Sequence, residues 1–143
     1  MLLFITMETK SSNDQSLIAL IADHMESGFL ENIIDMFRHD SALYPLIGSL
    51  IQDERVRVRV GMTALIEELK KLDAENVSKA VPNLLPLLSS TEPFLRGDAA
   101  NLLGIIGDRN ALSSLERLLA DENEDVSQIA KEAIEEIQSD LFE

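Results

Sequence analysis

Apolar residues recur at helical spacing in three segments of the chain that align without gaps. The segments are residues 43–69, 80–106 and 111–137. When Arg59, Arg96 and Ser127 are taken as position zero, apolar or small residues stand at positions −1, +3, +6, +7 and +10 of every copy. These offsets trace one face of an α-helix. The pattern therefore predicts that each copy contains a helix with a buried apolar face.

An earlier apolar stretch in each copy ends in a short polar turn, so each copy is predicted to be a helix–turn–helix unit. Pro45 and Pro82 stand near the starts of the first helices, where a missing amide N–H is tolerated. Asp121 has capping-box spacing to Glu124. Aspartates mark the turns and are suited to cap the helix that follows: they are Asp40, Asp73, Asp108 and Asp121.

The stretch "RVRVRV", residues 55–60, alternates with period two and would by itself indicate an edge strand. Its aligned counterparts, "FLRGDAA" and "DVSQIAK", suit a helix, and a lone strand would have no partner in this chain. We therefore expect residues 55–60 to begin the second helix of the first copy.

Two shorter apolar stretches flank Gly28 and predict a degenerate helical pair ahead of the repeats. The opening "MLLFITM" lacks the basic region and the long apolar run of a signal peptide, so a cytoplasmic protein is expected. Either Met1 or Met7 can be the natural start. All segments are expected to form one domain: an N-terminal tail at 1–13, the pair at 14–40, and three repeats in 41–143, at about 41–72, 74–107 and 109–139.

The order of paired leucines, a turn, Val-Arg, small residues and leucine resembles the HEAT repeat family. The second copy, "VPNLLPLLSSTEPFLRGDAANLLGIIGD", fits best, and the resemblance covers residues 43–137. More narrowly, the copies are similar to bacterial and archaeal HEAT-like repeats of the phycobilisome-lyase type. The resemblance implies an all-α fold, namely a right-handed α-solenoid of HEAT-like helical hairpins.

The same resemblance implies a hydrogen-bonded ladder between repeats, built from a turn aspartate and the arginine six residues later. Asp53 and Arg59 match that spacing in the first copy, so both are expected to take part. The other copies keep one residue each: Arg96 follows Ser90, and Asp121 precedes Ser127. The ladder is therefore expected to be incomplete in the third copy.

Composition narrows the possible functions. Hydrophobic residues make up 45% of the chain and aromatic residues only 4%, which suits helix-on-helix packing. A net charge of −14 argues against nucleic acid and anionic membranes as partners, because both attract basic surfaces. No cysteine is present to act as a nucleophile or a metal ligand.

The stretch "LRGDAANLLGIIGDRN" contains an Arg-Gly-Asp triplet and two spaced glycines. Both features are interpreted as packing: the triplet lies inside a helix, Gly104 lets a neighbouring helix approach, and Gly107 ends the helix. His24 and His39 lack the short ligand spacing of a zinc site and are interpreted as surface residues. No catalytic motif occurs, so we expect neither an enzyme nor a bound metal or cofactor.

The leading hypothesis is a monomeric, non-catalytic protein-interaction scaffold or adaptor. The family resemblance implies that the second helices line a concave face, and positions +1, +5 and +8 point away from the core offsets. These positions predict a shallow groove of small residues with an acidic lip, suited to a basic or amphipathic partner segment. They are Val60, Ala64, Glu67, Gly97, Asn101, Gly104, Gln128, Glu132 and Glu135.

Two alternatives stay open. The small residues can serve only close helix packing, in which case the groove is not a binding site. The phycobilisome-lyase resemblance also allows an accessory or chaperone-like subunit that acts on a cofactor-carrying protein. Against this second alternative, the absence of cysteine and the single tyrosine leave little to hold or attack a bilin.

Overall fold

The computed structural model describes the backbone of residues 2–140 and the side chains of residues 13–139. Over this range the chain is helical, without a β-strand. No helix in it combines the length and the apolar character that a membrane crossing needs. The α-helices are α1 (Leu2–Glu26), α2 (Leu30–His39), α3 (Ile47–Leu50), α4 (Val56–Leu72), α5 (Ala74–Val77), α6 (Val81–Leu84), α7 (Pro93–Ile106), α8 (Leu112–Arg117) and α9 (Glu124–Asp140).

Helix α1 begins at Leu2, so the backbone of residues 2–13, expected to be a tail, continues into the first helix of the N-terminal pair. The reason is visible in the sequence: no glycine or proline precedes Gly28 to interrupt the helix. Gly28 has a φ of 88°, the left-handed conformation that glycine adopts readily, and it separates α1 from α2.

The second helices of the three repeats, α4, α7 and α9, lie where the apolar offsets predicted them. The residues at −1, +3, +6, +7 and +10 are buried in all three helices, so the register is confirmed. Helix α4 begins at Val56, which confirms that the alternating arginines and valines are helical. Burial of one face in a shared core outweighs the local strand pattern.

The first helices are less regular than predicted. Each is divided into short α-helical and 3₁₀ segments, such as the 3₁₀ turn Ser41–Leu46 followed by α3, and α6 followed by the 3₁₀ turn Leu85–Ser89. Pro45 and Pro86 lie within these turns and lack the N–H that a continuous α-helix would use.

Only part of the predicted capping is found. Asp40 and Asp108 accept hydrogen bonds from the backbone two residues later, as N-caps do. The capping box of Asp121 with Glu124 is wrong, because Asn123 caps α9 by accepting from the N–H groups of Asp125 and Val126.

The units stack in chain order and share one core. Helix α4 contacts α1 and α2 before it and α7 after it, and α7 contacts α9. The first-helix segments make a second layer, in which α3 contacts α6, and α8 contacts the turn Leu85–Ser89. The buried apolar cluster extends from Ile21 in α1 to Ile137 in α9.

Helices α7 and α9 approach each other closely at two glycines. A Cβ atom on Gly104 would lie 2.8 Å from both Cα and Cβ of Ala133, whereas one on Gly97 would lie 3.2 Å from Cδ1 of Ile129. Gly107, with a φ of 80°, ends α7 and donates its N–H to the Leu103 carbonyl. Gly104 and Gly107 therefore have the packing and stop roles predicted for them.

Substituting the two interface glycines should have unequal effects. We expect Gly104→Ala to lower the free energy of unfolding by about 1–3 kcal/mol, because its methyl group meets backbone atoms of α9. Gly97→Ala should change the free energy by less than about 1 kcal/mol, since the Ile129 side chain can move and alanine favours the helix. Urea denaturation of both variants provides the measurement, and equal midpoints would contradict the close approach at Gly104.

Candidate partner-binding surface

A buried arginine–aspartate pair joins the second repeat to the third. The Arg96 guanidinium donates from Nε to Asp121 Oδ2 at 2.8 Å and from Nη2 to Asp121 Oδ1 at 2.9 Å. Its Nη1 donates to the Ser90 carbonyl oxygen at 2.9 Å. The guanidinium, aided by the Asn123 amide N–H, holds the pKa of the Asp121 carboxyl below its usual value. One rung of the expected ladder is therefore present.

Arg59 occupies the same position in the first repeat but has a different neighbour. Ser90 stands where the third repeat has Asp121, so a hydroxyl replaces the carboxylate that the rung would need. The Arg59 guanidinium carbon lies 4.6 Å from the centroid of the Phe94 ring, a cation–π contact that joins α4 to α7. The ladder role expected for Arg59 is therefore wrong: its guanidinium contacts an aromatic ring instead of a carboxylate.

Asp53 binds the arginine nearest to it, which corrects the ladder role expected from its spacing to Arg59. Nε and Nη2 of Arg55 each donate to the Asp53 carboxylate at 3.0 Å. Nη1 of Arg55 donates to Asp23 of α1, also at 3.0 Å. The Arg55 hydrogen bond lowers the pKa of Asp53. This network ties the first repeat to the N-terminal pair.

A cleft of about 270 Å³ lies between the N-terminal halves of α7 and α9. Its apolar lining includes Phe94, which is 47% exposed, and Ile129, which is half-buried. Asp98 of α7 and Asp125 of α9 contribute the acidic side chains of the cleft. The full lining is Pro93, Phe94, Gly97, Asp98, Asn123, Asp125, Val126 and Ile129.

The environment of the cleft changes the pKa of Asp98. Partial burial raises the pKa of Asp98, and the positive charge of Arg59 opposes that rise. The ionised form is therefore less favourable in the folded protein than in water. A second positive charge in the cleft would stabilise the ionised form of Asp98.

The stacked helical units with a buried arginine–aspartate rung agree with the match to protein-family models. The family model described as HEAT repeats matches residues 45–135, well over half of the chain. The chain belongs to the HEAT-repeat family. No curated protein matches it. HEAT repeats stack into extended surfaces that commonly mediate protein–protein interactions.

The residues predicted to line a groove of this HEAT-repeat protein differ in their burial. Gly97 and Gly104 are both buried where α9 packs on α7. Helix α9 fills the predicted groove at Gly104, whereas Gly97 also lines the cleft. The reason is that positions +1 and +8 of α7 face the next second helix. Ala64 is half-buried, and the remaining predicted residues are exposed: Val60, Glu67, Asn101, Gln128, Glu132 and Glu135.

The cleft residues Phe94 and Asp98 were not predicted, although each stands two positions from the arginine that fixed the register. A signal was present in the sequence, because Phe94 is one of few aromatic residues and lies off the core offsets.

The histidines lie at helix ends and bond to their own helices. Nδ1 of His24 is 2.9 Å from the Leu20 carbonyl oxygen, and Nδ1 of His39 is 2.7 Å from that of Asp35. Among the described residues, no three potential metal ligands of the His, Cys, Asp and Glu types come together.

Arg96→Ala should be strongly destabilising, because it removes one member of a buried ion pair and leaves the Asp121 carboxylate uncompensated. We expect its Tm to fall by about 10 °C. Arg117→Ala, which removes an exposed arginine from α8, is the matched control and should change Tm little. Thermal denaturation followed by circular dichroism measures both, and similar Tm values for the two variants would contradict the rung.

Asp98→Asn should keep or raise the stability at neutral pH. Because folding raises the pKa of Asp98, the wild-type protein loses stability as pH rises through the titration of this carboxyl. The asparagine variant avoids that loss, so its Tm should equal or exceed the wild-type value at neutral pH. The difference should vanish at about pH 3, where the carboxyl is protonated. A variant that melts lower at neutral pH would contradict this assignment.

Proposed function

We propose that this HEAT-repeat protein is a non-catalytic scaffold or adaptor that binds a segment of a partner protein along its second helices. In this proposal α4, α7 and α9 line the concave face of a right-handed solenoid. The protein acts as a monomer, and the partner segment is basic or amphipathic.

The observation that carries the proposal is a set of exposed apolar side chains on neighbouring second helices. Val56 and Val60 of α4 are 62% and 63% exposed, and they lie one turn apart on the same side of the helix. Phe94 of α7 is 47% exposed and contacts Arg59, the residue that precedes Val60 in α4. Exposed apolar groups of this kind, bordered by charge, mark interaction sites.

Charge supports the choice of partner. The protein carries a net charge of −14, and Glu132 and Glu135 are exposed on α9. Such a surface attracts a basic partner and accelerates the encounter with it.

Site-specific photo-crosslinking tests which face binds. A photoreactive residue at Asn101, exposed on α7, should capture a discrete partner in cells of the source organism. The same residue at Ser113, exposed on the first-helix segment α8, is the control and should not. Equal capture at both positions would contradict binding along the second helices.

The captured partner then allows a kinetic test. Glu132→Lys combined with Glu135→Lys should mainly slow association at low salt, because it reverses the charge that steers the partner. Asn101→Arg should block binding while the circular dichroism spectrum stays unchanged. Normal binding by both variants would place the partner on another face.

A further inference from the structure

The cleft between α7 and α9 has the size of a site for one side chain. At about 270 Å³ it is smaller than the roughly 300–1,000 Å³ typical of sites for whole small molecules. Phe94, Val126 and Ile129 provide an apolar lining, and Phe94 is 47% exposed. A chain segment lying across the second helices could therefore insert one residue.

The charged groups that line the cleft are two carboxylates that are free to bind a cation. In the part of the chain that the structure describes, the carboxylates of Asp98 and Asp125 form neither a hydrogen bond nor an ion pair at contact distance. Arg59 acts on Asp98 electrostatically, but its guanidinium is engaged with the Phe94 ring. An apolar side chain entering the cleft would remove water from both carboxylates without replacing it.

We propose that this cleft binds one Lys or Arg side chain of the partner segment. The alkyl stem lies against Phe94 and Ile129, and the cationic head meets the carboxylates of Asp98 and Asp125. Long basic side chains suit such a site, because they bury an apolar stem while the charged end stays hydrogen-bonded. This inference rests on the proposed scaffold function and specifies the residue that the partner must supply.

The test starts from a defined probe, a library of random 16-residue peptides displayed on phage and selected on the full-length protein. Selected peptides should share a Lys or Arg next to an apolar residue. A synthetic peptide from this set is then labelled, and its Kd is measured by fluorescence anisotropy for the wild-type protein and for single variants.

Asp98→Asn should weaken binding about tenfold or more, the expected effect of losing a charge-assisted hydrogen bond. Glu116→Gln removes one exposed carboxylate of the first-helix segment α8 and serves as the matched control, with less than about a twofold effect. Replacing the basic residue of the peptide by acetyl-lysine or citrulline should cause a similar loss. The two losses should not add, because they remove the same contact.

The outcomes separate this inference from the proposed function. If no peptide is selected, both are overturned. The cleft proposal is contradicted if the selected peptides share no basic residue. It is also contradicted if they bind Asp98→Asn as tightly as the wild-type protein. In both cases the proposed scaffold function is retained. A loss with Glu116→Gln as large as that with Asp98→Asn would mean that net charge alone weakens binding, and it would overturn the cleft. The neutralised peptide tests the same contact without depending on the folding of any variant.

Discussion

No helical pair of this chain can bury its apolar face alone, and the whole structure depends on contact between neighbouring pairs. Helices α4 and α7 each pack against their own first-helix segments and against the second helices before and after them, or against α1 and α2 in the case of α4. Helix α9 packs against α8 and α7. The core is therefore shared from α1 to α9. The Arg96–Asp121 pair and Gly104 lie between the second and third repeats and stabilise the stacking of one on the other.

The sequence predicted the structure best in the second helices, where apolar core positions recur at helical spacing. The second helices were predicted because their core positions recur every three or four residues, and the burial of Leu65, Leu102 and Ile134 follows that register. The first helices were predicted less well. Their positions were correct, but Pro45 and Pro86 remove amide donors, and 3₁₀ turns replace parts of the helices.

The candidate surface was predicted only in part, because the direction of a side chain on a single helix does not reveal what packs against it. Gly97 and Gly104 point away from the core offsets of α7, yet α9 packs against Gly104 and forms the opposite wall of the cleft at Gly97. Phe94 and Asp98 were missed for the converse reason: α9 forms the opposite wall of their cleft. The periodicity of apolar residues in one helix therefore does not predict the contacts between repeats.

The two contacts between neighbouring second helices, α4 with α7 and α7 with α9, are made by different interactions. Helix α7 is held to the turn before α9 by a buried bidentate ion pair, and to α9 itself by a close backbone approach. Helices α4 and α7 are held by the partly exposed contact of Arg59 with Phe94 and by the Lys70 ammonium on the Ile106 carbonyl. Exposed cation–π contacts contribute only about 0.5–1 kcal/mol. A close backbone approach between the first two repeats lies instead in the first-helix layer, where a Cβ atom on Gly48 would lie 2.5 Å from the Asn83 carbonyl oxygen. The attachment of the first repeat to the second therefore depends on both helical layers.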